Sequence, residues 1–330
     1  MKKNSLIKIF LLLIIGINIF FLIWYLINGD LYFHTDIARD FLLLDDLAKR
    51  KLVLIGPRSS GLFGFYHGPL WMYLNLPAFL LGKGNPIVVG WFWILLFILF
   101  LSSSYFVAKR MFNKKVALVF TTFLSMFPGI PLINRGEMNG FYNPFGAMFL
   151  MPIFFYFITS YVKHKKAVFL ATALFVNGLM FQFQVAFGGP LLLITSSIAL
   201  YYIIKEKKWV HLFTFLILLI PFSTYILFDL RHNFSHLNAI LNMNNKPDAV
   251  FIPIIERLKQ RWGMLNTNSL HFFREPYEIF NLFFTYVIAF GLYIILKSKK
   301  ITNKIPYVVG MTSSPTQASG YPHHNFSWSL

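Results

Sequence analysis

Long apolar segments separated by short polar loops make up most of the chain. Eight of them approach the length of about 20 apolar residues with which an α-helix crosses a bilayer. A ninth, residues 70–82, is only 13 residues long and is more typical of an interfacial or re-entrant helix. The pattern predicts an all-α polytopic membrane protein, with transmembrane helices at residues 6–27, 86–108, 116–133, 144–162, 167–187, 189–204, 209–228 and 278–296.

Basic residues decide how these helices are oriented. If residues 69–82 form a juxtamembrane helix that does not cross, every lysine-rich loop falls on the side of the N-terminus, as the positive-inside rule requires. That side then holds 17 of the 30 Lys and Arg but a single acid, Glu206, and the other 11 acids lie outside. We therefore predict about eight transmembrane helices in the plasma membrane, with both termini in the cytoplasm. The loops concerned contain Lys109/Arg110/Lys114/Lys115, Lys163/Lys165/Lys166, Lys205/Lys207/Lys208 and Lys297/Lys299/Lys300/Lys304.

The first external loop, residues 28–85, gathers five of the twelve acids of the chain. Within residues 36–51 the apolar positions Ile37, Phe41 and Leu44 recur at helical spacing, which predicts an amphipathic helix lying on the membrane surface. Asp36 and Asp40 are four residues apart and so share a face of that helix. Asp36 is also well placed to cap the helix. The loop is the part of the chain in which we expect its chemistry.

Composition changes this interpretation little. The net charge of +18 would suggest a nucleic-acid partner for a soluble protein, but only 13% of the residues are charged and 57% are hydrophobic. The basic residues are therefore expected to orient the helices in the membrane, and no nucleic-acid partner is expected. The absence of cysteine excludes disulfides, thiolate nucleophiles and cysteine metal sites.

The later part of the chain is less informative. The external segment 229–277 predicts a second surface helix around Ile254, Ile255, Leu258, Arg261 and Trp262. Residues 297–330 form a polar tail without an apolar period, which the topology leaves in the cytoplasm.

Several stretches of residues 1–235 resemble the GT-C superfamily of membrane glycosyltransferases. TDIARDFLLLDDLAKRKLVLIGP (residues 35–57) and YHGPLWMYLNLPAFLLG (residues 66–82) are similar to the first external loop of protein O-mannosyltransferases of family 39 and of lipid A aminoarabinose transferases. Those enzymes carry an acidic pair after the first span, then an amphipathic helix, then a His-Pro-Pro-Leu-like juxtamembrane helix. The last element here reads His67-Gly68-Pro69-Leu70. INRGEMNGFYNP (residues 133–144) and FDLRHNF (residues 228–234) add to the likeness.

The resemblance implies transfer of a sugar from a polyprenyl-phosphate donor to a lipid, glycan or protein acceptor on the outer face. Asp36 matches the first acid of the family pair and is the expected general base. Ile37 stands where these relatives usually have Glu, so Asp40 would take a second carboxylate role one turn later. The alternative for Asp40 is a solvated position on the exposed face. A divalent metal is left open, and no other cofactor is implied.

The leaving group would be a lipid phosphate, which requires positive charge nearby. The candidates for phosphate binding are Arg58, Arg135, Arg231 and His232. His67 and Glu137 are candidates for binding the acceptor or orienting the loop. Structural alternatives also stay open: Arg135 can pair with Glu137, and Arg231 and His232 can anchor a helix end at the interface.

Two other functions remain as alternatives: a flippase or transporter of lipid-linked sugars, and an inactive scaffold with the GT-C frame. A transporter would carry ionisable residues in mid-span and related halves, and neither is evident. The GT-C relatives usually continue with further spans, so we expect residues 1–296 to form the membrane domain of a chain truncated or altered at its end.

Overall fold

The computed structural model describes residues 3–31, 35–49, 52–59, 64–126 and 141–241, together with 253, 255, 256 and 258–260. Every regular element in these parts is helical, and the only β-pairing described there is an isolated bridge between Arg58 and Tyr66. The elements are α1 (Lys3–Ile27), α2 (Thr35–Lys49), α3 (Leu70–Leu81), α4 (Pro86–Met111), α5 (Lys114–Ser125), α6 (Asn143–His164), α7 (Ala167–Phe183), α8 (Val185–Lys205), a 3-10 segment (Trp209–Leu218) continuing into α9 (Leu219–Arg231), and α10 (Ser235–Leu241).

The helical class predicted from the sequence is confirmed, and five helices among the described residues are long and apolar enough to cross a membrane. They are Ser5–Ile27, Pro86–Met111, Asn143–His164, Val185–Lys205 and Trp209–Arg231. Of the other predicted spans, α5 reaches 12 residues and α7 reaches 17 within the described part. Residues 127–133 and 278–296 lie outside it, as do Ile254, Arg261 and Trp262 of the second predicted surface helix. The described residues therefore support a multi-span protein, with five helices that have the length and composition of membrane spans.

Helix α7 forms the centre of the bundle. Leu170, Leu174 and Met180 on this helix are fully buried, and α7 packs against α3, α6, α8, α9 and the 3-10 segment. Small residues allow this close approach. A Cβ at Gly178 would lie 2.4 Å from Pro221 Cγ on the facing helix, which is the kind of contact that lets membrane helices pack tightly.

The two short helices α2 and α3 form where the sequence predicts them. Ile37, Leu44 and Leu47 bury one face of α2, while Leu42 on the opposite face is 71% exposed. The 12 residues of α3 extend about 18 Å, which is too short for a hydrocarbon core of about 30 Å. The helix packs against α2, α4 and α7, so it belongs to the bundle although it is too short to span a bilayer.

The basic and acidic loops lie at opposite ends of the bundle. At one end, Lys208 donates to the carbonyl of Lys165 (3.0 Å), and the Lys165 ammonium lies 3.2 Å from the centroid of the Tyr202 ring. At the other end, the loop that precedes α3 bonds to the junction of α7 and α8, where Gly68 donates to the carbonyl of Gln182 (2.8 Å). The arrangement agrees with a topology in which the lysine-rich loops share one side.

Candidate active site

Arg39 links the two candidate carboxylates of α2. Its Nη1 donates to Asp36 Oδ1 at 2.6 Å, and its Nη2 and Nε donate to Asp40 Oδ1 at 2.8 and 3.1 Å. Asp36 lies in the first turn of the helix, where the helix dipole favours a negative charge, and its side chain is 43% exposed. Because helical neighbours three residues apart face each other, the sequence Asp-Ile-Ala-Arg-Asp assembles this group locally.

Asp40 is buried, so the alternative that it is solvated on an exposed face is wrong. It is 3% exposed and falls on the same face as Ile37, Leu44 and Leu47. Burial raises the pKa of Asp40 to about 6, although Arg39 opposes the shift and the nearby Trp71 side chain also lowers the pKa. Its Oδ2 has no hydrogen-bond partner of standard geometry among the described residues. This position suits a carboxylate that holds Arg39 more than one that touches a substrate.

His67 lies beside the same group and is 7% exposed. Burial and, to a smaller extent, the charge of Arg39 lower its pKa to about 4, although Asp36 opposes the shift. The imidazole is therefore neutral near pH 7. The backbone N–H of Val185 donates to its Nδ1 (3.3 Å), so the proton of the neutral ring is on Nε2.

The loop that carries His67 is fixed through its backbone. Gly56 donates to the carbonyl of His67, and His67 donates to the carbonyl of Pro57, both at 2.8 Å. Gly68 donates to Gln182 and has no room for a side chain, since a Cβ would lie 1.6 Å from Gln182 Oε1. A proline at position 68 would remove the N–H that joins the loop to α7.

Two aromatic residues complete the surroundings of the carboxylates. Trp71 on α3 is 1% exposed and lowers the pKa of Asp40. Tyr142, directly before α6, has a pKa raised by burial and then by the charge of Asp36. The start of α6 is held at this place by Asn143, whose Nδ2 donates to the carbonyl of Phe183 (2.8 Å). Three elements, α2, α3 and α6, therefore meet at the acidic group.

The candidates for phosphate binding lie around the end of α9. Arg58 is exposed, and its backbone pairs with Tyr66, whose ring lies 6.3 Å from that of Phe228. His232 stacks on Phe228 at 4.0 Å, with its Nδ1 2.8 Å from the carbonyl of that residue. Arg231 is exposed beside it. The structure thus brings the Arg58 loop and the end of α9 together, while Arg135 and Glu137 lie outside the described residues.

His236 on α10 ties this region together and was not predicted. It is 2% exposed and lies against the rings of Phe65, Tyr225 and Phe228 at 4.6, 5.5 and 4.7 Å. Asp229 Oδ1 lies 3.1 Å from its Nδ1 and also accepts from its backbone N–H (2.9 Å). Burial lowers the pKa of His236, and Asp229 opposes the shift. The pair anchors α10 against the loop that carries His67.

Arg39 and Trp71 were also missed as site residues, as was Tyr142. The three-residue spacing between Asp36 and Arg39 was a usable signal for the first of these. Trp71 and Tyr142 reach the site only through the packing of α3 and α6 on α2, which no local pattern indicates.

The described residues of the acidic group do not offer a set of ligands for a metal ion. Among the described residues, no three potential His, Asp or Glu ligands converge. Between Asp36 and Asp40, the place of a cation is taken by the Arg39 guanidinium.

No protein-family model matches the chain, and neither a curated protein nor a solved structure is significantly similar to it.

Proposed function

We propose that the chain is a membrane glycosyltransferase that moves a sugar from a polyprenyl-phosphate donor to an acceptor hydroxyl or amine. The observation that carries the proposal is the Arg39-bridged pair of carboxylates, of which Asp36 is half-exposed and Asp40 is buried. The group lies at the end of the bundle opposite the lysine-rich loops, which on the positive-inside rule is the outer side.

Asp36 is the proposed general base. It takes the proton from the acceptor as the acceptor atom bonds to the anomeric carbon, and the bond from that carbon to the phosphate oxygen breaks. The electron pair of the broken bond leaves with the polyprenyl phosphate. Because the acceptor attacks from the face opposite this leaving group, the configuration of the carbon is inverted. Arg39 orients Asp36 through a hydrogen bond, and the buried Asp40 in turn fixes Arg39.

Arg58, Arg231 and His232 are the proposed contacts of the donor phosphate. Exposed cations in the Arg58 loop and at the end of α9 would stabilise the negative charge that the phosphate gains as the bond breaks. His67 connects the two regions. Its own side chain lies in the field of Arg39 and Asp36, and the preceding residue, Tyr66, contacts Phe228.

A transfer assay in membranes tests the proposal by comparing wild type with Asp36→Asn at equal expression. Polyprenyl-phosphate sugars are offered with native lipid and protein extracts as acceptors. Loss of a general base is expected to lower transfer by about 10² or more. Asp45→Asn is the matched control, because Asp45 lies on the same helix but pairs only with the exposed Lys49 in the described structure.

Equal transfer by wild type and Asp36→Asn would remove the base from Asp36 and leave it a structural partner of Arg39. Absence of transfer in every variant, with the protein folded, would favour the inactive scaffold. Movement of lipid-linked sugar across reconstituted vesicles without transfer would favour the flippase.

A further inference from the structure

A large apolar groove lies near the basic end of the bundle, far from the acidic group. It has a volume of about 970 Å³ and is bounded by α4, α5, α6 and α8. Buried residues form its floor, with Ala108, Ile158 and Tyr202 4%, 7% and 8% exposed. Phe120 and Phe155 on its walls are each 45% exposed. A space of this size falls within the range of small-molecule sites.

Hydrocarbon is the chemistry that this lining selects. Its residues carry no charged side chain. The hydroxyls of Thr159 and Ser197 already donate to carbonyls of their own helices, those of Phe155 (2.6 Å) and Leu193 (2.9 Å). A polar group placed inside the groove would therefore lose its hydration with little in return.

Two basic side chains lie close to lining residues of the groove. Arg110 directly precedes the lining residue Met111, and its guanidinium lies 5.6 Å from the ring of Tyr156 on α6. Lys205 extends toward another lining residue, with its Nζ 3.5 Å from Tyr201 Oη. Both cations are exposed, and Glu206 is the one carboxylate in the described loops at this end. An apolar groove with a cationic rim on the lysine-rich side is the arrangement by which membrane proteins bind acidic lipid headgroups.

We propose that the groove holds a hydrocarbon chain of an anionic phospholipid from the leaflet on the lysine-rich side. Arg110 and Lys205 contact its headgroup phosphate, and the walls formed by α5, α6 and α8 enclose the chain. The bound lipid fills the space between α5 and α8 and fixes these helices relative to each other. The inference concerns a site separate from the proposed transferase site and does not depend on that function.

Lipid titration of the detergent-purified protein, followed by native mass spectrometry, tests this site. Phosphatidylglycerol and phosphatidylcholine with identical acyl chains are compared. Wild type is expected to bind phosphatidylglycerol at least about fivefold more tightly than phosphatidylcholine. Arg110→Gln is expected to weaken phosphatidylglycerol binding by about fivefold, because each basic residue near a lipid surface contributes about 1 kcal/mol. Ser197→Trp fills the groove and is expected to weaken both lipids.

Two matched variants serve as controls. Leu193→Trp places the same bulk on α8 at a residue that is 72% exposed and does not line the groove. Lys83→Gln removes a positive charge from the loop between α3 and α4, at the opposite end. Both are expected to bind like wild type.

Equal affinity of wild type for the two lipids would overturn the proposal. So would equal binding by Ser197→Trp and Leu193→Trp. If Ser197→Trp lowers the thermal midpoint but leaves phosphatidylglycerol binding unchanged, another part of this chain or a second copy occupies the groove, and the proposal is also wrong.

Discussion

In the described structure, each end of the bundle withdraws a charged group from solvent, Asp40 almost fully and Lys165 partly, and the two ends compensate this differently. At the acidic end, the Arg39 guanidinium donates two hydrogen bonds to Asp40. At the basic end, the ammonium of Lys165 lies over the face of the Tyr202 ring and also donates to the carbonyl of Val162. Burial moves both pKa values toward neutrality, that of Asp40 up to about 6 and that of Lys165 down to about 8.

The two kinds of contact differ in how precisely they fix the charged group: Arg39 holds Asp40 in one geometry, whereas the Tyr202 ring holds Lys165 only loosely. A guanidinium bound to two carboxylates fixes their geometry, because its donors lie in one rigid plane. A ring face attracts a cation with little directional preference, which suffices to close the loop between α6 and α7. The acidic end is therefore built to hold a carboxylate in a fixed position, and the basic end to hold helices together.

Among the variants that test this comparison, removal of Arg39 should change the free energy of unfolding most. Arg39→Gln leaves Asp40 buried without its cation, so the free energy of unfolding is expected to fall by about 2 kcal/mol at pH 7.5, the scale of lost hydrogen bonds to a charged group. The loss should shrink at pH 5, where Asp40 is protonated. Thermal or chemical unfolding of the detergent-purified protein measures both values.

Lys49→Gln is the control for Arg39, since it removes an exposed pair with Asp45 from the same helix. It should leave stability unchanged. A loss at pH 5 as large as the loss at pH 7.5 would show that Arg39 acts through packing and not through the charge of Asp40.

The pH dependence of stability tests Asp40 itself, with a smaller effect. Its folded pKa of about 6 lies above the unfolded value of 3.8, so the folded state binds more protons between these values. Its contribution to stability is therefore full below pH 3.8 and is lost as the pH rises through 6. Asp40→Asn should remove this part of the profile, whereas Asp46→Asn should not. Identical profiles for wild type and Asp40→Asn between pH 4 and 6.5 would contradict the assignment.

The sequence already contained the signal for Asp40. Positions 37, 40, 44 and 47 form one helical stripe, and the structure buries all four. The spacing of four between Asp36 and Asp40 suggests a shared exposed face, but the apolar residues Ile37 and Leu44 flank Asp40 on the buried face. The bounds of α2 and α3 could be predicted because periodicity and the short length of the second segment are local properties.

The junction of α7 and α8 could not be predicted in the same way. Residues 167–187 suggested one continuous helix, yet α7 ends at Phe183 and Gln184 is extended, with φ −148° and ψ 101°. The carbonyl of Gln182 and the N–H of Val185 are there bonded to Gly68 and His67. These contacts join residues more than 100 positions apart, and only the tertiary structure reveals them.

The smallest effect is expected at the basic end, where Lys165 is half-buried. Its folded pKa of about 8 lies below the unfolded value of 10.5, because burial outweighs the attraction of Glu206. The unfolded state then binds more protons between pH 8 and 10.5, so stability due to Lys165 is present above 10.5 and is lost as the pH falls through 8.

Thermal midpoints measured from pH 7.5 to 10 should rise less steeply in Lys165→Met than in wild type. Lys207→Met, in an exposed turn of the same end, controls for the general loss of positive charge. Equal slopes in Lys165→Met and wild type would mean that the ring of Tyr202 fully offsets the burial of the ammonium, and the basic end would then be better compensated than the acidic end.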